Sequence, residues 1–534
     1  MLTLLIPLGL IVLTAFALVA ALAASAAWWV AVAVLGIFAI IACYDVTQRR
    51  HSILRNYPVA GHMRFLLEKI RPEIQQYFIE RNYDGRPYDR DTRTVIYERA
   101  KGIHGELAFG TEREVNEVGY EWVLHSSSPR EAPKEQPRVR IGGPDCTKPY
   151  DMALLNVSAM SFGALSANAI LALNAGAKAG GFAHDTGEGG LTKYHLEHGG
   201  DLIWEIGSGY FGARTKNGDF DADMFRDKAA NDQIKCVSLK LSQGAKPGIG
   251  GVLPGAKVTK EIADARNVPQ GEKCVSPAAH RVFHTPRELV QFIGRMRELA
   301  DGKPTGFKLC VGYRHELLAI CKAMVEEQIT PDFIVVDGSE GGTGAAPLEY
   351  EDHFGTPLTD GLIMVHNALV GTGLRDRIKL GASGKVSTGT DILKRLIQGA
   401  DYTNAARAMM MATGCIQAQK CHTNECPVGV ATQDPRRQRA LVVADKAPRV
   451  QQYQAATVAQ AQQMIASLGL SGPADLHPAM LMRRIDHVRT ASYLELYDWL
   501  GPGELLHEAP PDWAADWAAA SPDRFTRQTK GRVE

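Results

Sequence analysis

The sequence predicts an α/β protein centred on a closed (β/α)8 (TIM) barrel, and three observations lead there. From about residue 152 onward, short apolar runs end in glycines or polar residues and each gives way to a helical stretch, a rhythm that builds a parallel sheet. The units number eight, the count that closes such a sheet on itself. No GxGxxG follows the first run, which weakens the alternative of an open doubly wound sheet.

Taken in order, four regions are expected: 1–47, 48–150, 151–435 and 436–534. Residues 1–44 carry no charged side chain, and Asp45, Arg49 and Arg50 follow at once. That length exceeds one bilayer crossing of about 20 residues and suits two, so a transmembrane helical hairpin is predicted over Leu2–Ala24 and Ala27–Tyr44. Trp28 and Trp29 would mark the far interface, and the arginines would place the rest of the chain on the cytoplasmic side of the cell membrane. A signal peptide is the rival, since LAASAA resembles a cleavage site, but the basic n-region is missing. In 48–150, Leu66, Leu67, Ile70 and Ile74 recur at helical spacing, so an amphipathic helix leads into a region packed on the barrel or the membrane surface. Beyond Gln433, a helix ending near Gly469 and one or two more across 474–500 form a helical tail, with Trp513 and Trp517 spaced to dock.

The eight barrel units begin with ALLNVSAMSFGALS, whose helix runs to Lys178, and continue through GGFAHDTGEGG and the less regular IWEIGSGYFGAR. KCVSLKLSQGAKPG, TGFKLCVGY, DFIVVDGSEGGTG, RIKLGASGKVSTG and ADYTNAARAMM complete them. Strand C-termini of a barrel share one rim, so these glycine-rich ends converge on one site. Many of the 52 glycines cluster there rather than in linkers, as backbone-lined ligand loops require. Lysine plus arginine and aspartate plus glutamate balance at 59 each, which leaves no global field to recruit nucleic acid.

Three of the nine cysteines, Cys415, Cys421 and Cys426, lie in CIQAQKCHTNECPVGVATQ. Their spacing is too irregular for a helix face and suits a loop wrapped round an iron–sulfur cluster. With no fourth cysteine nearby, a three-iron, four-sulfur cluster is favoured, or one with an open iron. Zinc with His422 as a ligand, or three unrelated core cysteines, are the alternatives. The other six cysteines are scattered singly, which argues for a reducing compartment.

This cysteine segment, together with MSFGALS, GEGG, SQGAKPG, EGGTGAAP and GASGKVSTG upstream, resembles the FMN domain of glutamate synthases over roughly Asp151–Gln433. The resemblance implies a stand-alone, membrane-anchored FMN and iron–sulfur oxidoreductase that converts 2-oxoglutarate and ammonia, or an amine, to glutamate or an N-alkylglutamate. An electron-relay subunit without turnover is the reading from another class. A flavin needs a phosphate site, an apolar slot and a cation near its pyrimidine edge. Gly384, Lys385 and Arg407, from Gly381–Gly389 and Asn404–Arg407, are the expected phosphate residues, with amides from Gly341, Gly342, Thr343 and Gly344. Lys308 ends an apolar strand, so a carboxylate or a ligand must neutralise it; the resemblance sets it beside the flavin. Met160, Ser161, Gly187 and Gln243 complete the cofactor set. Gln243, Lys246, Glu188, Lys193 and Ser161 are the expected groups around the dicarboxylate, with Lys308 as the remaining catalytic residue.

Two departures stand out. Many relatives read KPGEGG where this chain has Ile249, which puts the amine donor in question. The chain begins Met1-Leu2 rather than with a nucleophilic cysteine, and no NADPH-binding domain is evident. Nitrogen is therefore expected free or from a separate amidotransferase subunit, and electrons from ferredoxin or a membrane redox partner.

Overall fold

The computed structural model describes residues 2–103 and 105–527. Contacts divide the chain into two compact units between Arg90 and Asp91, so the lead-in region 48–150 is shared between them. In the first unit, helices α1 (Leu2–Ala23) and α2 (Trp28–Thr47) form a hairpin. Both are long and apolar enough to cross a membrane, and only 11% and 17% of their apolar windows are buried, unlike the core helix of a globular domain. The segment after α2 folds back on it: Asp45 is fully buried, accepts from the Val59 amide at 2.8 Å and pairs with His62 Nε2 at 2.9 Å. The expected amphipathic helix is α3 (Gly61–Ile74), and Leu66, Leu67 and Ile70 along it remain exposed.

The second unit is built on eight parallel strands: β1 (Leu155–Val157), β2 (His184–Asp185), β3 (Leu202–Ile206), β4 (Ile234–Lys240), β5 (Thr305–Leu309), β6 (Phe333–Asp337), β7 (Lys379–Ser383) and β8 (Tyr402–Ala405). Each pairs with the next, and β8 returns to β1 through Thr403 opposite Leu155, closing the barrel predicted from the eight units. Helices α4 (Ala167–Gly180), α5 (Ala222–Ala229), α6 (Pro286–Leu299), α7 (Arg314–Glu327), α8 (Leu358–Gly371) and α9 (Gly389–Ile397) occupy crossovers, and α10 (Arg407–Ala412) follows β8. Their starts are written locally. Thr285 and Glu288 cap α6 reciprocally, as do Thr388 and Asp391 at α9, so orphan amides of the first turn are satisfied by side chains three residues apart.

One face of each strand points to the helices and the other into the barrel. Trp204, Val237, Leu239, Phe307, Ile334 and Val336 join the outer core. Inside, Ala183, Ile203, Cys236, Phe333, Val335 and Tyr402 form a buried floor, closed by Ile141 and Met152 from the antiparallel hairpin Arg138–Ile141/Tyr150–Ala153. Two strand glycines make room for its large rings: a Cβ on Gly381 would stand 2.5 Å from the Tyr402 ring, and one on Gly306 would meet Phe333.

The tail departs from expectation in one stretch. Helix α11 (Val443–Ser467) forms and ends by Gly469 at φ +80°, as predicted, and lies along α4 and α9. The segment 474–500 is mostly not helical: Leu481–Arg484 pairs antiparallel with both Glu121–Val123 and Thr490–Ser492. Asp486 accepts from the amides of Val488 and Arg489 at 2.8 Å, which turns the chain into a hairpin, and the available edge at Glu121–Val123 overrides local helix propensity. Helix α12 (Pro511–Ala519) docks on α7, with Arg314 over the Trp513 ring at 4.8 Å and Lys322 over the Trp517 ring at 4.4 Å.

Candidate active site

Above the apolar floor the inward positions turn polar. Lys308 at the end of β5 is buried against Glu205 of β3 in direct contact, and Asp185 and Asp337 lie within electrostatic reach. Burial alone would pull the lysine down; Glu205, then Asp185 and Asp337, outweigh it and hold the ammonium above its ordinary value. Asp185 is pushed up by burial and by Glu205, and its Oδ1 accepts from the Gly187 amide at 2.9 Å. The carboxylate that Lys308 required is thus Glu205.

A second charged group sits at the rim. Lys240 Nζ lies 3.0 Å from Glu188 Oε1 and also bonds Gln243. Burial raises the Glu188 carboxyl, but Lys240, Arg266 and Lys246 overcome that and hold it at about 2. Lys246 is buried and donates to the Ala345 carbonyl at 2.9 Å; burial, then Lys240, pull it down to about 8. Arg266, also buried, donates to the Phe162 carbonyl at 2.9 Å and lies 3.5 Å from Ser161 Oγ. Beside Lys240, His280 donates from Nε2 to its carbonyl at 2.9 Å, and burial lowers the imidazole to about 4, keeping it neutral. Gly187 at φ +65° lets the GEGG loop approach the MSFG loop: a Cβ there would come 2.6 Å from the Ser161 amide.

Structure therefore brings together Met160, Ser161, Gly187, Glu188, Gln243, Lys246 and Lys308 at one end of the barrel. Lys193 stands apart. It begins the short helix Lys193–Leu196, is largely exposed, and pairs with Glu261 at 2.9 Å, because the turn after GEGG directs the chain away from the rim. On the β6–β8 side, Thr343 Oγ1 lies 3.5 Å from Gln243 Nε2, Gly342 packs against the Arg407 side chain, and Arg407 donates to the Glu340 carbonyl at 2.5 Å. Gly344 faces open space, and Gly384 and Lys385 turn the chain at φ +148° and +50°.

The cysteine loop follows α10. Cys426 is buried and Cys415 and Cys421 are half-buried; Gln417, Gln419 and Asn424 turn the loop at φ +58°, +53° and +66°. Burial pushes the Cys415 thiol up to about 12, with Cys421 and Cys426 adding to it. The Gln417 amide lies 3.5 Å from Cys415 Sγ. His422 is exposed, and among the described residues no three His, Cys, Asp or Glu side chains converge as a single metal ion demands.

Sequence reading overlooked Asp185, Glu205, Lys240, Arg266 and Lys257. A signal existed for three of them: in HD, LIWEI and KCVSLK the charge falls on the strand face that points inward. Arg266 and Lys257 come from the long excursion between β4 and α6, where no periodicity distinguishes them.

A closed barrel whose C-terminal rim holds buried lysines, an arginine and carboxylates with displaced pKa values is the arrangement of an enzyme. Residues 136–471 match the family described as "Conserved region in glutamate synthase". The chain is 39% identical over 480 residues to the glutamate synthase large subunit-like protein YerD of Bacillus subtilis, covering 82% of this chain and 90% of that one. It is 36% identical over 285 residues to an archaeal-type glutamate synthase [NADPH] of Thermotoga neapolitana, 53% of each chain. Against the archaeal glutamate synthase [NADPH] of Methanocaldococcus jannaschii the identity is 34% over 316 residues, 59% of each. The chain thus spans little more than half the length of those two relatives. It belongs to the glutamate synthase family and is an oxidoreductase acting on CH–NH2 donors.

Proposed function

We propose that the barrel binds FMN and reductively aminates 2-oxoglutarate to L-glutamate, with electrons entering through an iron–sulfur cluster held by Cys415, Cys421 and Cys426. The overall conversion joins ammonia to the C2 keto group with loss of water and adds two electrons and two protons. The observation that carries the reading is the charge layout at the rim: buried Lys246 and Arg266 flank Glu188, cations suited to the two carboxylates of a short dicarboxylic acid. Lys308, fixed by Glu205, would lie below them.

The residues present fit a flavin. Ser238 Oγ and Asn404 Oδ1 are buried without a hydrogen-bond partner among the described residues, and polar groups left so await a ligand or water. Gly342, Thr343, Gly344, Gly384, Lys385 and Arg407 would hold the phosphate and Lys308 the pyrimidine edge of the ring. Three thiols on one tightly turned loop, near enough to act electrostatically on one another and with His422 exposed, are the ligands an iron–sulfur cluster would take. When bound, the flavin supplies a hydride and the cluster relays single electrons. The chain's own part is to orient the dicarboxylate with Lys246 and Arg266, keep Glu188 ionised beside Lys240, and hold Lys308 cationic. The α1–α2 hairpin would anchor the enzyme in the membrane with the barrel on the cytoplasmic face. Electrons would then come from ferredoxin or a membrane redox partner.

Ile249, half-buried two residues before the Gly251 that lies against Glu188, stands where many relatives carry a carboxylate, so an alkylamine is the second nitrogen donor to test and an electron relay the reading from another class. Purified protein supplied with reduced viologen, 2-oxoglutarate and ammonium should form glutamate and release FMN on denaturation. Methylamine in place of ammonium tests the second donor. Flavin reoxidation without amino-acid product from either nitrogen source would overturn the enzymatic reading in favour of an electron relay.

A further inference from the structure

Lys257 is buried to 2% exposure in the turn Gly255–Lys257, part of the excursion between β4 and α6. Its Nζ donates to two carbonyls at 3.0 Å each, Ala164 on the turn after β1 and Cys421 on the cysteine loop. Among the described residues it has no carboxylate within ion-pair distance. An ammonium taken out of water with only carbonyl oxygens around it is costly, and such groups persist where an anion compensates them. The charged or ionisable groups facing it are Cys421, Cys426 and the cation of Arg266. The sulfurs of Cys421 and Cys426 are the groups beside it that would carry a compensating negative charge once they ligate a metal.

We infer that Lys257 is the built-in counter-ion of the thiolate centre at Cys415, Cys421 and Cys426, and that it raises the reduction potential of the group held there while joining the cysteine loop to the loop carrying Met160 and Ser161. This rests on the proposed iron–sulfur reading of that loop. A fixed positive charge beside a centre that gains an electron stabilises the reduced form, so removing the charge makes reduction harder. The bridge also gives a short hydrogen-bonded route, Cys421 carbonyl to ammonium to Ala164 carbonyl, between the two loops. The cysteine loop does not depend on Lys257 for its place. Gln433 Nε2 donates to the carbonyls of Gly163 at 3.2 Å and Leu165 at 2.7 Å, and the Ser166 amide donates to Val430 at 2.9 Å. A neutral residue at 257 therefore leaves the loop tethered.

The test is a redox titration of the full-length protein followed by electron paramagnetic resonance, on wild type, Lys257→Met, Lys257→Gln and Lys257→Arg. The expected result is a potential lowered by about 59 mV or more in the Met and Gln variants, a tenfold change in the reduced-to-oxidised ratio for one electron, and restored in the Arg variant. A merely structural lysine would not give a shift that follows charge. A cluster retained by Arg and lost from Met and Gln supports the same assignment. Potentials unchanged in Met and Gln, or a cluster lost from all three variants, overturn it. Wild-type protein without iron, sulfide and a resonance signal defeats the reading of the cysteine loop itself, a different failure.

Discussion

The lower half of the barrel interior is filled by Ala183, Ile203, Cys236, Phe333, Val335 and Tyr402, whereas the upper half, reached by the same strands one repeat further on, holds Asp185, Glu205, Lys308 and Asp337. The floor stabilises the barrel by burial, on the order of 1.5 to 3 kcal/mol for a large apolar side chain. The upper layer does the opposite: buried ion pairs are often no better than apolar replacements of similar volume. The proposed function gives these charges at the strand C-termini a role in chemistry rather than stability, and the contrast can be probed from either side.

The largest effect is expected from Lys308→Met. Turnover should fall by about 10²- to 10³-fold or more, the scale of losing a pre-organised charge at a reacting centre, and stability by about 3 to 5 kcal/mol because Glu205 is left unpaired. Adding Glu205→Gln should return the stability in urea unfolding without returning activity. If the double variant recovers both, the upper layer is structural after all. On the floor, Phe333→Ala should cost about 3 to 5 kcal/mol in the same unfolding experiment while the surviving folded enzyme turns over normally; a selective loss of turnover would blur the two layers.

At the rim the carboxyl of Glu188 is held near 2 against an ordinary 4.5, so its contribution is present above about pH 4.5 and lost as the pH falls towards 2. Glu188→Gln should remove a pH-dependent stability on the order of 3 kcal/mol across that window. Unfolding midpoints at pH 3 and pH 6 that change equally in variant and wild type would count against it. Lys246 has the smallest expected effect. With its ammonium lowered to about 8, kcat/KM for 2-oxoglutarate should fall about tenfold per pH unit above that value, and Lys246→Arg should push the decline to higher pH.

Much of this architecture was legible in one dimension. The alternation of apolar runs and helical stretches gave the closed barrel and all eight strand positions. The stretch 474–500 was not legible, since pairing with Glu121–Val123 depends on an edge more than 350 residues away in the chain, a separation set by the numbering of the two segments. Lys193 looked like its neighbours in GEGGLTK, yet one turn of chain direction sends it to solvent and Glu261. Glu205 and Asp185 were visible only as single charges in apolar strands.

What the sequence by itself determined is the order of elements, the class of the sheet and the loops from which a site would be made, because periodicity and punctuation are local properties of the chain. Which charges face one another was decided only by closure. Joining β8 to β1 and laying the β4 excursion across the rim set Lys308 against Glu205, Lys240 against Glu188, and Lys257 between the Ala164 and Cys421 carbonyls. Electrostatic partnership depends on distance and burial, and neither exists until the fold is complete.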